Sequence, residues 1–286
     1  MSVNNQIKEL RERYLKCVYG KDALVSLIEE TEVSEQVYNS NAIENSTLTL
    51  EETDKILLQI DLDRYITERE LFEAKNLARV VQYISNKARE NEITEDIILL
   101  LHKMLLSNIN DDVAGRYRKE DEWVRVGNHI ALNPNIIKGA MRELLIEYHA
   151  NYDWSITKRI AKMHLTFEHI HPFVDGNGRI GRVINNFCLI REGFVPINIK
   201  FIDRVKYYEA FREYDLQAKT LIMEDIVAKA LTNSYHKRLA YLEGKRIIDL
   251  QEYAKNVGSS HSNVINKAKR QTIEAFIEKG IWKIGI

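Results

Sequence analysis

Proline is scarce in this 286-residue chain, with three residues, and glycine contributes only twelve. So few helix breakers favour long helices. Neither sign of charge is in excess: 41 lysines and arginines face 42 aspartates and glutamates, a net charge of −1. That balance argues against a general nucleic-acid or membrane-surface binder. There are only two cysteines, Cys17 and Cys188. Both fall in apolar-periodic, helical segments and read as reduced core thiols, which implies a cytosolic compartment. No apolar run is long enough to span a bilayer, and the opening Met-Ser-Val-Asn-Asn-Gln has no apolar signal region. The expectation is a cytoplasmic protein with no membrane partner, long enough for a real core and one or two domains.

What is present is mostly helical pattern. Residues 4–18 read as an amphipathic helix, 21–30 as a second, and Ser34 to about Asn45 as a short third. Thr49-Leu-Glu-Glu52 and Thr67-Glu-Arg-Glu70 are capping boxes, opening helices to about Gln59 and Glu90. Thr94 caps a helix through Leu105, Asn133-Pro134 starts one to about Asn151, and Ser155 caps the next. Gly193 fits the C-cap of the helix after that, and two more follow near 204–219 and 224–242. Tyr207, Tyr208, Tyr214, Tyr235 and Tyr241 in these last helices read as packing. The convincing β element is a hairpin: Trp123–Val126 and His129–Leu132 flank a Gly127-Asn128 turn.

One stretch concentrates chemistry: His171-Pro-Phe-Val-Asp175-Gly176-Asn177-Gly178-Arg179-Ile-Gly181-Arg182. Helical patterns precede it (Ile156, Ile160, Met163, Phe167) and follow it (Ile180, Val183, Ile184, Phe187), so it is a helix–loop–helix corner. Gly176 and Gly178 allow a tight turn and close approach of a ligand. The amides opening the second helix have no intrahelical partner, and that end carries roughly half a unit of positive charge, which suits phosphate. Arg179 and Arg182 share a helix face and can grip further phosphate oxygens. Asp175 is a hard oxygen ligand suited to Mg2+ bridging phosphates. His171 has the natural pKa of a general base near neutrality. Together these spell nucleotidyl or phosphoryl transfer.

Two other readings compete. Gly176-x-Gly178-x-x-Gly181 matches the dinucleotide fingerprint, which needs a strand before it. The preceding segment is helical, although 195–202 could form a strand after it. His164, His169 and His171 suggest a metal cluster, but 164 and 169 are poorly placed on a helix to share an ion and no third ligand completes a zinc set. His164 and His169 therefore read as structural.

The twelve residues resemble the signature of the Fic-domain family, His-x-Phe-x-Asp/Glu-Gly-Asn-Gly-Arg-x-x-Arg, with every fixed position filled. The resemblance spans about residues 20–240. Most Fic proteins are adenylyltransferases that move AMP from ATP to a protein hydroxyl. The resemblance implies that His171 is the catalytic base and that Asp175 holds Mg2+. It puts Asn177 and the amides of Gly176 and Gly178 on the α-phosphate, and Arg179 and Arg182 on the β- and γ-phosphates. The hexamer Ser40-Asn-Ala-Ile-Glu44-Asn45 resembles the inhibitory motif Ser/Thr-x-x-x-Glu-Gly/Asn of self-inhibited Fic proteins. By that likeness Glu44 pairs with Arg182 and blocks the γ-phosphate site. The hairpin, preceded by Gly115-Arg-Tyr-Arg118, resembles the flap that aligns a target segment as an added strand.

Gly244 marks a shift in composition: the segment from Lys245 onward has eight basic and four acidic residues. Its pattern looks like a small winged helix-turn-helix, with helices at 249–256 and 263–269, docking DNA or another protein. The fold expected is all-α: a Fic helical domain over 1–243 with one hairpin flap and an inhibitory helix near 34–45, then a winged-helix module over 244–286. The expected function is AMP transfer from ATP to a Ser, Thr or Tyr hydroxyl of a target protein or of the chain itself. Two alternatives stay open. One is removal of AMP at the same site; the other is a DNA-binding regulator whose nucleotide pocket is a sensor. A homodimer is left open as well.

Overall fold

The computed structural model describes residues 3–126 and 129–286. The elements in chain order are α1 (Val3–Val18), α2 (Asp22–Ile43), α3 (Leu50–Leu57), α4 (Glu68–Lys87) and α5 (Glu95–Leu106), then the short strands β1 (Arg125–Val126) and β2 (His129–Ile130). Next come α6 (Ile137–Ala150), α7 (Ile156–Ile170), α8 (Asn177–Arg191), α9 (Arg204–Gln217) and α10 (Leu221–Leu242). The chain ends with β3 (Ile247–Asp249), α11 (Leu250–Asn256), α12 (His261–Lys269), β4 (Ala275–Glu278) and β5 (Ile281–Gly285). The fold is mostly helical, as the scarcity of proline and glycine implies. Among the described residues, no helix is long and apolar enough to cross a membrane.

Two compact units emerge, Val33–Val227 and Met1–Glu32 together with Ala228–Ile286. The larger unit is built around α8, which is buried at almost every position from Asn177 to Ile190. A helix buried on all sides is a core helix, and α7, α4 and α5 pack against it. Phe167 and Phe187 have no exposed surface, so burial of each contributes roughly 1.5–3 kcal/mol. The surrounding helices start where their caps dictate. Thr49 and Thr67 both form reciprocal capping boxes, with Glu52 and Glu70, while Thr94 and Ser155 cap α5 and α7 through their hydroxyls. Cys188 is buried in α8, as expected, whereas Cys17 is only half-buried and is not a core residue.

Three local expectations change. Residues 21–30 and 34–45 are parts of one helix, α2, because Thr31-Glu-Val33 contains no breaker and Thr31 returns its hydroxyl to the Ile28 carbonyl at 2.9 Å. The hairpin strands are two residues each, paired Arg125 with Ile130 and Val126 with His129; the Gly127-Asn128 turn lies outside the described residues. Residues 195–202 form no strand but lead into a 3-10 turn at Phe201–Asp203. The motif is therefore not embedded in a βαβ unit, and the dinucleotide reading falls.

In the smaller unit, β3, β5 and β4 form an antiparallel sheet in that order, with Ile248 opposite Ile284 and Phe276 opposite Lys283. Ile248, Leu250, Ala254, Val264, Ala268, Ala275 and Ile284 close a small core between this sheet and α11–α12. The sequence expectation divides the chain at 244, but α1 and residues 228–243 group with this sheet. Arg13 reaches Glu243 and Glu274 at 2.5 Å each, and buried Arg238 holds Glu32 at 2.5 Å. These pairs join segments over 200 residues apart, which no local pattern announces.

Candidate active site

The corner between α7 and α8 is shaped by two left-handed residues. His171 ends α7 at φ 50° and Gly176 precedes α8 at φ 80°. At Gly176 a side chain would meet strain and a contact of 3.1 Å to Leu105, so only glycine suits. Asn177 closes the loop on itself: its Oδ1 accepts from Phe173 N at 2.9 Å and its Nδ2 donates to Phe173 O at 2.8 Å. The sequence reading puts Asn177 on a phosphate. In the structure its amide is engaged with the loop at both ends, so it shapes the turn.

Two residues that the sequence reading left unassigned hold this loop. His102, on α5, stacks flat on Phe173 with ring centroids 3.7 Å apart. Its Nδ1 accepts from Gly115 N at 2.9 Å, so its Nε2 carries the proton and donates to Asp175 O at 3.0 Å. Burial pushes this imidazole down to about 4, so it stays neutral. A lone histidine on an apolar helix face gives no sign of this from sequence. Arg118 donates from Nε to His171 O at 2.8 Å, from Nη1 to Glu122 O at 2.9 Å and from Nη2 to Leu132 O at 2.7 Å. It thereby ties the segment before the hairpin to the motif.

The polar groups of the motif converge. Asp175 accepts from Arg69 Nη2 at 2.5 Å, Arg179 Nη2 at 3.1 Å and Gly176 N at 2.6 Å. Burial would raise its pKa, but Arg179, Arg69 and that amide outweigh it and hold the carboxyl below its usual range. Arg179 is buried and also meets Glu73 at 3.0 Å. Arg182 is buried too, donating to Ser40 Oγ at 2.9 Å, Ser40 O at 2.8 Å, Tyr207 OH at 3.1 Å and Glu44 Oε1 at 2.8 Å. Glu44 lies just past the end of α2, and Asn45 follows in the left-handed conformation at φ 66°. A Cβ placed on Gly178 would lie 2.1 Å from Glu44 Oε1, so the carboxylate rests against the opening of α8. Ser40, Glu44 and Arg182, separated by some 140 residues in sequence, therefore form one cluster.

His171 is mostly buried, with Nδ1 3.6 Å from Glu168 Oε2. His164 and His169 point elsewhere. His164 is buried against Tyr207 OH at 2.7 Å, and burial followed by the Arg182 charge pushes it down to about 3; His169 meets Asp215 at 2.8 Å. Among the described residues, no three His, Cys, Asp or Glu side chains group as a metal site. Asp175 offers a partly exposed hard oxygen donor. That suits Mg2+, which one or two carboxylates hold when phosphates and waters supply the other ligands.

A helix opening lined with amides, two buried arginines and a carboxylate, next to an imidazole, is a site for polyphosphate esters. Residues 92–189 match the Fic/DOC family. A protein adenylyltransferase Fic of Nematostella vectensis is 30% identical over 219 residues, which is 72% of this chain and 48% of the relative. A Fic domain containing signaling protein of Bacteroides thetaiotaomicron has the same fold at TM-score 0.76 and 23% identity, covering 84% of this chain and 97% of that one. A Fic family protein of Desulfovibrio desulfuricans matches at TM-score 0.68 and 18% identity over 100% of this chain and 96% of its own. Residues 92–189 belong to the Fic/DOC family. The chain spans about half the length of the curated relatives it matches.

Proposed function

We propose that this chain is a protein adenylyltransferase that moves AMP from ATP to a Ser, Thr or Tyr hydroxyl of a target protein or of itself, and that Glu44 restrains it. The observation that carries this is the four-way hold on Arg182: the guanidinium that would meet the terminal phosphate is occupied by Glu44 at 2.8 Å. A carboxylate is a fair mimic of a phosphate oxygen pair. The relatives named protein adenylyltransferase Fic support ATP as donor.

In this reading His171 takes the proton of the target hydroxyl. The hydroxyl oxygen bonds to the α-phosphorus, the bond to the bridging oxygen breaks, and pyrophosphate leaves. The amide of Gly178 faces the α-phosphate; that of Gly176, expected there as well, is spent on Asp175 Oδ1 at 2.6 Å, and Asn177 keeps the turn in place through Phe173. Arg179 and Arg182 take up charge on the leaving group, where fixed donors are most effective. Asp175 would hold Mg2+, which supplies charge neutralisation on the phosphates when bound. His102 and Arg118 keep the loop backbone in register. The hairpin before the motif presents the target segment as an added strand. The free cysteines agree with a cytoplasmic setting.

Intact-mass analysis after incubation with ATP and Mg2+ tests this. Glu44→Gly should gain AMP adducts over the parent, and Glu44→Gly/His171→Ala should gain none while binding nucleotide normally. Adduct formation that survives loss of His171 would sink the mechanism. The position of Glu44 at the opening of α8 also favours a second reading, in which the carboxylate orients water for removal of AMP. Release of AMP from a modified target by the parent, lost in Glu44→Gly, would establish it. Lys267, Lys269 and Arg270, on and after α12, support docking of DNA or an acidic protein through 244–286, which a mobility-shift assay reads.

A further inference from the structure

Glu168 sits one turn before His171 on α7, with its side chain largely buried and Oε2 3.6 Å from His171 Nδ1. Its other oxygen, Oε1, is buried without a hydrogen-bond partner among the described residues. A buried carboxyl left half-satisfied is costly unless it serves something. The space it occupies is made by Gly181, a variable position of the signature, where a Cβ would lie 2.7 Å from Oε1. The groups facing it are Glu44 from the end of α2, Arg182 from α8, His164 and His171 from α7, and Tyr207 and Tyr208 from α9. None of these residues but His171 has a transferable role in the base step.

We propose that Glu168 is the positioning partner of His171, and that it takes up this role when Glu44 leaves the corner. Its carboxylate accepts the Nδ1–H, which fixes the tautomer and turns Nε2 to the target hydroxyl. The proton then moves from the hydroxyl to Nε2, and the resulting imidazolium is held against the Glu168 anion. With Glu44 present, burial first and the Glu44 charge second push Glu168 up to about 8, so it is largely protonated and unable to hold an imidazolium. The 3.6 Å separation fits that idle state, because catalytic hydrogen bonds often tighten only in the working complex. Departure of Glu44 thus acts twice, freeing Arg182 and removing the like charge that adds to burial in favouring the protonated Glu168.

The proposal rests on His171 being the base, and the test separates the two. Glu44→Gly and Glu44→Gly/Glu168→Gln are compared by AMP transfer, by affinity for a non-hydrolysable ATP analogue, and by histidine NMR of His171. Adding Glu168→Gln should lower kcat about tenfold with analogue affinity within about twofold. The His171 titration midpoint should fall by about one pH unit, taking the acidic limb of the kcat profile with it. A lost rate with an unmoved midpoint would make Glu168 merely structural and overturn the proposal, as would an unchanged rate. If Glu44→Gly transfers no AMP but the midpoint moves, the pairing stands and the adenylyltransferase reading fails. Gly181→Ala is the second variant: its methyl crowds the carboxyl and the His164 ring together, so it should lower kcat in Glu44→Gly by more than it does in the double variant.

Discussion

Replacing Glu44 by glycine should tighten ATP binding by about tenfold. The bond at stake is the 2.8 Å contact from Arg182 Nη2 to Glu44 Oε1. A hydrogen bond between charged groups contributes about 1.5–3 kcal/mol. Glu44 is 38% exposed against 8% for Arg182, so solvent screens the pair and the lower end applies. About 1.4 kcal/mol is a factor of ten in an equilibrium constant. The arginine itself is not set adrift, because both Ser40 contacts and the Tyr207 contact remain. Glycine at 44 perturbs the backbone little, since α2 has already ended at Ile43. Glu44→Gln separates charge from bulk: its amide still crowds the approach to Gly178, so its gain should fall between parent and glycine. Calorimetric titration of the parent and both variants with a non-hydrolysable ATP analogue and Mg2+ measures this. Affinities equal within about twofold across all three would refute the competition on which the restraint depends.

Arg118→Ala removes a buried guanidinium that serves four carbonyls, those of His171, Glu122, Leu132 and Ile170, and should cost about 3 kcal/mol or more in urea unfolding. Arg118→Lys, with one ammonium in place of the fork, should recover only part of that. Asn45 is held at φ 66°, so Asn45→Val should cost about 1–2 kcal/mol while Asn45→Gly stays near neutral in the same assay. Burial, then the Glu44 charge, pushes Glu168 up from 4.5 to about 8, so between those values the folded state holds a proton the unfolded state has released. That contribution to stability is complete below the unfolded value and lost as pH rises toward the folded one. Glu168→Gln should therefore flatten the fall in stability between those two values, read by urea unfolding across that range.

The parts of this molecule that could be read from sequence are those written locally. The motif corner is twelve consecutive residues, and the capping boxes at Thr49 and Thr67 are four each; the structure forms both boxes as spaced. The juxtaposition of Ser40, Glu44 and Arg182 was reachable only through family likeness, since nothing in the spacing says that α2 ends at the opening of α8. His102 and Arg118 escaped because their partners are mostly backbone carbonyls and amides, which have no residue identity to signal. Asn177 shows the converse: its type suits a ligand, but four residues back a backbone N–H and C=O claim both ends of its amide. The grouping of residues 1–32 with 228–286 was illegible for a third reason. Ion pairs such as Glu32–Arg238 leave only ordinary surface charges in a linear reading.

How the proposed restraint would be released follows from comparing what holds α2 with what holds Glu44. Within the larger unit, α2 is fixed by Lys200 on Glu35 at 2.6 Å, by Phe201 N on Asn39 Oδ1 at 2.8 Å, and by Tyr208 OH on Ile43 O at 2.7 Å. The first is a largely buried ion pair, whose rupture leaves a charge without its partner. Moving the helix away would break all of these together with both Ser40 contacts. Rotating the Glu44 side chain breaks one contact, and the carboxylate already touches solvent. The cheaper release is therefore local, with α2 staying docked while the carboxylate swings out. Amide hydrogen exchange over 33–43 should then be the same in the parent and in Glu44→Gly with nucleotide bound. Faster exchange along that whole stretch in the liganded variant would mean that the helix leaves, and that the restraint is a docking equilibrium rather than a side-chain switch.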